Sequence, residues 1–111
     1  MSKSESNSSS SRLISNLGLC VRAGKTVMGV PMICEAMRKG GANAPKAVFE
    51  AADTSENTHK KISDKCEFYG VKHIRLECDC VSLAKSLGKT GALAAVAVTD
   101  ENMLGMVEKY I

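Results

Sequence analysis

Apolar positions recur along this chain with two alternating periods, and the alternation predicts its architecture. From Ser11, Leu13, Leu17, Cys20 and Val21 fall at helical spacing until Gly24 stops the run, giving a first helix. A short strand over Lys25 to Met28 follows. A second helix over Val30 to Lys39 carries Ile33, Ala36 and Met37 as its stripe and ends at Gly40-Gly41. The run Lys46 to Ala52 reads as a mostly buried strand after the turn that ends at Pro45. Asp53 is the expected N-cap of a third helix, with Glu56 three residues on and Thr58, Ile62, Cys66 and Tyr69 turned inward until Gly70. Its outer face is expected to hold His59, Lys60, Lys61 and Lys65 as a solvated surface. Val71 to Cys78 is the next strand, and Asp79 caps a short helix with Val81, Leu83, Ala84 and Leu87 inside. The continuous apolar run Leu93 to Val98 has the length and composition of a strand covered on both faces. Thr99-Asp100-Glu101 then opens a last helix with Met103, Leu104, Val107 and Ile111.

The resulting order, α-β-α-β-α-β-α-β-α, predicts an α/β fold: a three-layer α-β-α sandwich around a mixed sheet of about four strands. Residues 1–11 are almost all Ser, Lys, Glu and Asn with nothing to bury, so a disordered Ser-rich tail is expected there, and 12–111 would form one domain. A chain of 111 residues suits one core.

The helix that follows Gly29 is the most suggestive feature. Pro31 lies in the first helical turn, where a missing N–H is cheap, and Gly24 and Gly29 let the backbone adopt positive φ or lie against a ligand. Arg22, Lys25 and Lys39 flank the helix in sequence, a combination that suits a phosphate backbone. A basic loop and surface helix serving only the fold is the plain alternative.

Charge sharpens this picture. The formal net charge is only +3, but between Arg12 and Lys46 six cations face one acid, while between Ala47 and Cys80 five cations face seven acids. An anionic partner is therefore expected near the second helix. The aromatic content is 4% with no Trp, which argues against a single-strand binder that stacks successive bases.

Five cysteines, an odd number after a polar N-terminus, point to reduced cytoplasmic thiols and away from a disulfide framework. Cys78-Asp79-Cys80 lacks a second ligand pair at zinc-site spacing, so no metal and no cofactor are expected. No run approaches the roughly 20 apolar residues that span a membrane. His59 and His73 have no catalytic partner that sequence can place, and no enzyme is expected. Gly24-Lys25-Thr26 is not a P-loop, since position 19 is Leu and a helix precedes it. Three turns, Gly24 to Pro31, Ala52 to Ser55 and Gly88 to Leu93, could instead converge at one edge of the sandwich as a binding surface.

Four stretches in this order, Leu17–Gly29 (LGLCVRAGKTVMG), Asp53–Ile62 (DTSENTHKKI), Leu87–Lys89 (LGK) and Val96–Asp100 (VAVTD), resemble the bacterial YlxQ-type branch of the ribosomal L-seven-Ae/L-thirty-e superfamily. The resemblance covers about Leu13 to Ile111. It implies an L-thirty-e-like sandwich and a cytosolic, non-enzymatic RNA-binding protein of a family that recognises kink-turns; a monomer that binds rRNA or another structured RNA as a ribosome-associated accessory is expected. Superfamily members read that RNA with the start of the second helix and two nearby loops. Gly29 matches the glycine of their Gly-x-Asn-Glu-x-x-Lys signature, whereas Pro31, Met32 and Glu35 stand where Asn, Glu and Lys would be. Each lost base-edge contact should cost on the order of 1–3 kcal/mol. The residues that the resemblance assigns to RNA are Lys25, Thr26, Gly29, Val30, Pro31, Met32, Glu35 and Lys39, then Asp53 and Ser55 on the second loop and Lys89 and Thr90 on the third, where Gly91 replaces an Arg of some members. The rival expectation is a protein-interaction module on the same fold, using the apolar surface of Val30, Pro31 and Met32.

Overall fold

A computed structural model describes residues 2–110, with side chains over residues 12–110. Among the described residues the chain forms α1 (Ser2–Arg22), β1 (Thr26–Met28), α2 (Val30–Lys39), β2 (Ala47–Glu50), α3 (Glu56–Tyr69), β3 (Lys72–Arg75), α4 (Cys80–Ser86), β4 (Ala95–Val98) and α5 (Glu101–Glu108). The element order is the one the hydrophobic pattern predicts. The strands make a four-stranded mixed sheet in the order β1-β4-β2-β3, antiparallel on both sides of β4 and parallel between β2 and β3.

Successive side chains of a strand point to opposite faces, so each central strand feeds two cores. Ala47 and Phe49 of β2 and Val96 and Val98 of β4 pack with Leu13, Leu17 and Cys20 of α1, Leu83 of α4 and Leu104 and Val107 of α5. On the other face Val48, Ala95 and Ala97 pack with Ile33 and Met37 of α2 and Ile62 and Cys66 of α3. All four residues of β2 and of β4 are buried, which is why both strands lack the polar alternation of a half-exposed strand.

Local signals set most boundaries. Asp79 accepts from the Ser82 N–H at 2.7 Å, Asp100 accepts from Asn102 and Met103, and Gly70 ends α3 in the left-handed region with φ 67°. Several expectations need correction. The cap of α3 is Ser55, whose hydroxyl accepts from the Thr58 N–H at 3.2 Å, because the Asp53 carboxylate is engaged elsewhere. Val81 and Tyr69 are exposed rather than inward, and His59 is half-buried rather than on a solvated face. The backbone of α1 is helical from Ser2, through the residues whose composition suggests a tail. Extending a nucleated helix is far cheaper than starting one. Ile111, expected inside the last helix, lies outside the described residues.

Candidate functional site

The strand directions decide which turns can meet. β1, β2 and β3 run the same way and β4 runs against them, so the starts of α2, α3 and α4 and the approach to β4 all lie at one edge of the sheet. Backbone hydrogen bonds stitch this edge together. Gly29 donates to the Ala95 carbonyl at 3.0 Å, Ala51 to Ala94 at 2.8 Å, Ala52 to Cys78 at 2.8 Å and Leu93 to Cys80 at 3.0 Å.

Gly29 makes the turn from β1 into α2 with φ 91° and ψ 140°, a region that side-chain-bearing residues rarely occupy. No side chain caps α2, and Pro31 lies in its first turn. Pro31 and Met32 are exposed, Met32 by 61%, while Val30 turns toward the core. Beside this turn an open groove of about 540 Å³ runs along β1, lined by Thr26, Met28 and Met32 on one side and Lys89, Thr90 and Leu93 on the other. Thus Thr26, Met32, Lys89 and Thr90, far apart in sequence, share one surface, with Gly29, Val30 and Pro31 at its end. Glu35 pairs with Arg38 one turn further along α2 at 2.5 Å, and hydrogen bonding to that guanidinium holds its carboxyl below the usual range.

The cations that flank α2 in sequence do not gather at its start. Lys25 precedes β1 and Lys39 ends α2, so both belong to the opposite edge, where the Lys25 carbonyl accepts from Thr99 at 2.9 Å and Lys46 donates to Val98 at 2.7 Å. Arg22 lines a separate depression with Lys85 and Gly88. A helix of ten residues separates its two ends by about 15 Å, which sequence proximity conceals.

Asp53 and Ser55 do lie on the shared edge, two strands from β1, but both are occupied. Asp53 accepts from the Cys80 backbone N–H at 2.7 Å, and hydrogen bonds from the Cys80 thiol and N–H draw its carboxyl below the ordinary value. Ser55 caps α3. Sequence reasoning missed Arg75, which donates to the Ala52 carbonyl at 2.9 Å and so braces the loop from β3. It also missed Glu50. This side chain is fully buried at the end of β2 beneath the same loop. It accepts from the Thr54 hydroxyl and meets His59 Nδ1 at 2.9 Å and His73 Nε2 at 2.7 Å. Burial pushes its carboxyl up, but the hydrogen bonds from Thr54, His59 and His73 outweigh that and leave it below the ordinary value. A lone acid in the apolar run of β2 was the available signal.

The five thiols are free. Cys66 and Cys80 are pushed up to about 11, both chiefly by burial, Cys80 also through its bond to Asp53. They are therefore protonated and weakly nucleophilic at neutral pH. Among the described residues no helix is long and apolar enough to cross a membrane.

The class defined by these features is an α/β sandwich that presents helix starts, glycine turns and a groove of mixed apolar and polar residues along one sheet margin. No family model matches the chain. It is 41% identical over 95 residues to RNA-binding protein YlxQ of Bacillus subtilis (strain 168), covering 86% of this chain and 87% of that protein. It is 37% identical over 73 residues to RNA-binding protein YlxQ of Enterococcus faecium, covering 66% and 67%. A solved protein of unknown function from Bacillus halodurans C shares the fold, with a TM-score of 0.77 at 23% identity over 89% of this chain and 95% of that one. The chain belongs to the YlxQ family.

Proposed function

We propose that this protein binds structured RNA through the groove beside β1 and the start of α2, as an L-seven-Ae/L-thirty-e-like cytoplasmic accessory of the ribosome built from one domain over 12–111 and acting as a monomer. The observation that carries the reading is the convergence of Thr26 and Met32 with Lys89 and Thr90 on one open surface, at the strand whose end the Gly29 turn joins to α2. The YlxQ relatives are named as RNA-binding proteins, which supports RNA as the ligand.

Backbone and shape contacts would dominate. Gly29 leaves the α2 start open to close approach, Lys89 supplies charge, and Thr26 and Thr90 supply hydroxyls. Pro31 and Met32 offer no polar pair to base edges, so discrimination among kinked RNAs would be modest. Glu35, partly neutralised by Arg38, would repel a phosphate passing that turn of α2. Lys25 and Lys39 would contact only an RNA long enough to reach the far edge. The exposure of Pro31 and Met32 favours one second reading, a protein-docking surface at the same place.

Titration of a kink-turn RNA beside an unbent duplex of equal length, at two salt concentrations, tests the proposal. The kink-turn should bind more tightly, and affinity should fall with salt with a log–log slope of about one, as a single groove cation requires. Lys89→Ala should weaken binding and reduce the salt slope by about one, while Glu35→Lys should strengthen binding. Equal weak binding to both RNAs, flat in salt, would overturn it, and a protein partner retained after nuclease treatment would favour the second reading.

A further inference from the structure

Glu50 is a charged side chain with no exposure to solvent, and burying an uncompensated carboxylate is expensive. The sheet brings two imidazoles to it from separate elements, His59 from the first turn of α3 and His73 from β3, the strand that pairs in parallel with β2. These are the two histidines of the chain. With both rings neutral the trio keeps a net negative charge.

We propose that Glu50, His59 and His73 form a three-ligand site for a divalent late first-row transition ion of the zinc type. The donor atoms are a carboxylate oxygen, His59 Nδ1 and His73 Nε2, which all lie within 4.8 Å of one another. Two imidazoles and one carboxylate match the ligand preference of such ions, and they leave a fourth position for water. His59 is 39% exposed at its side chain and His73 19%, so the side away from Glu50 is open for ion and water to enter. Metal bonds of about 2.0–2.1 Å in tetrahedral geometry place ligand atoms about 3.3 Å apart. Glu50 Oε1 stands 2.9 Å from His59 Nδ1 and 2.7 Å from His73 Nε2, so these two separations need to open by about half an ångström, within reach of small side-chain rotations, and the two ring nitrogens already lie within 4.8 Å of each other.

The surroundings supply what a metal site requires beyond its ligands. The Thr54 hydroxyl donates to Glu50 Oε2 and orients the carboxylate. Coordination through His59 Nδ1 leaves its Nε2 to carry the proton, and coordination through His73 Nε2 leaves its Nδ1, so both rings bind as neutral tautomers. On binding, the proton that a neutral ring points at Glu50 is exchanged through solvent to that ring's other nitrogen with no net loss, while a ring that is cationic beforehand releases one proton to solvent. The dication neutralises the buried charge and ties the start of α3 to β2 and β3 beneath the Ala52–Ser55 loop.

The test uses the full chain without an affinity tag, reduced, titrated with Zn²⁺ by calorimetry and with Co²⁺ by absorption spectroscopy. One ion should bind per chain, with Co²⁺ d–d bands but no thiolate charge-transfer band. Histidine ¹⁵N spectra, which contain two ring systems, should shift at both rings on Zn²⁺ addition. His59→Ala and Glu50→Gln should each weaken binding by more than the ten- to hundredfold that loss of an outer partner costs. No saturable binding, a thiolate band, or unchanged affinity in His59→Ala would overturn the proposal. Glu50 keeps its partners Thr54 and His73 in His59→Ala, and circular dichroism of that variant checks the fold independently of the metal.

Discussion

Gly29→Ala isolates backbone strain from every other cost at the proposed interface. Gly29 has φ 91° and ψ 140°, and an added Cβ would meet nothing within 4 Å, so crowding contributes nothing. The penalty is conformational. Holding a side-chain-bearing residue in this glycine-favoured region costs on the order of 1–3 kcal/mol. The turn cannot readily relax, because the Gly29 N–H donates to Ala95 of a central strand while its carbonyl accepts from Ile33 in α2, each at 3.0 Å. The same substitution at Gly105, exposed within α5 and equally open around its Cβ, should act the other way. There alanine removes the helix cost of glycine and stabilises by up to about 1 kcal/mol. Urea unfolding monitored by circular dichroism measures both, with unchanged m-values and midpoints displaced in opposite directions. In thermal scans each kcal/mol should move the midpoint by roughly 4 °C for a chain of this size. A Gly29→Ala change within about 0.5 kcal/mol of wild type, or a shift in the same direction as Gly105→Ala, would refute the strain argument.

Other consequences can be measured in parallel. Phe49→Ala removes a fully buried ring from the middle of β2 and should cost about 3–5 kcal/mol in chemical denaturation. Cys80, pushed up to about 11 from 9.0, should hold roughly a hundredfold less thiolate at neutral pH than an ordinary cysteine, so native alkylation followed by mass spectrometry should leave it unmodified long after the unfolded control reacts. The Asp53 carboxyl is depressed, so its stabilising contribution is present above its unfolded pKa and is lost as pH falls through the folded value. Asp53→Asn keeps an acceptor for the Cys80 N–H but removes the charge, and it should flatten the acid limb of stability against pH.

Much of the architecture was legible because it is written in local periodicity. Nine elements follow from spacing and punctuation, and the double burial of β4 follows from its unbroken apolar run, that of β2 from a run interrupted only by Glu50. Asp79 and Asp100 announced their helices because a cap acts within three residues of itself. The glycine at 29 was legible for the same reason. What spacing could not carry was anything that depends on strand direction and order. Arg22, Lys25 and Lys39 read as one basic cluster, yet the length of α2 and the direction of β1 send them away from the helix start, while Lys89 arrives there from some sixty residues downstream. Asp53 looks like a cap from its neighbours, but the sheet brings the Cys80 N–H within 2.7 Å and leaves the cap to Ser55. Glu50, His59 and His73 are unremarkable along the chain. Only the parallel pairing of β2 with β3, and the packing of α3 over them, turns a solitary buried acid and two scattered histidines into one site, because side chains from three elements meet only where the sheet places them.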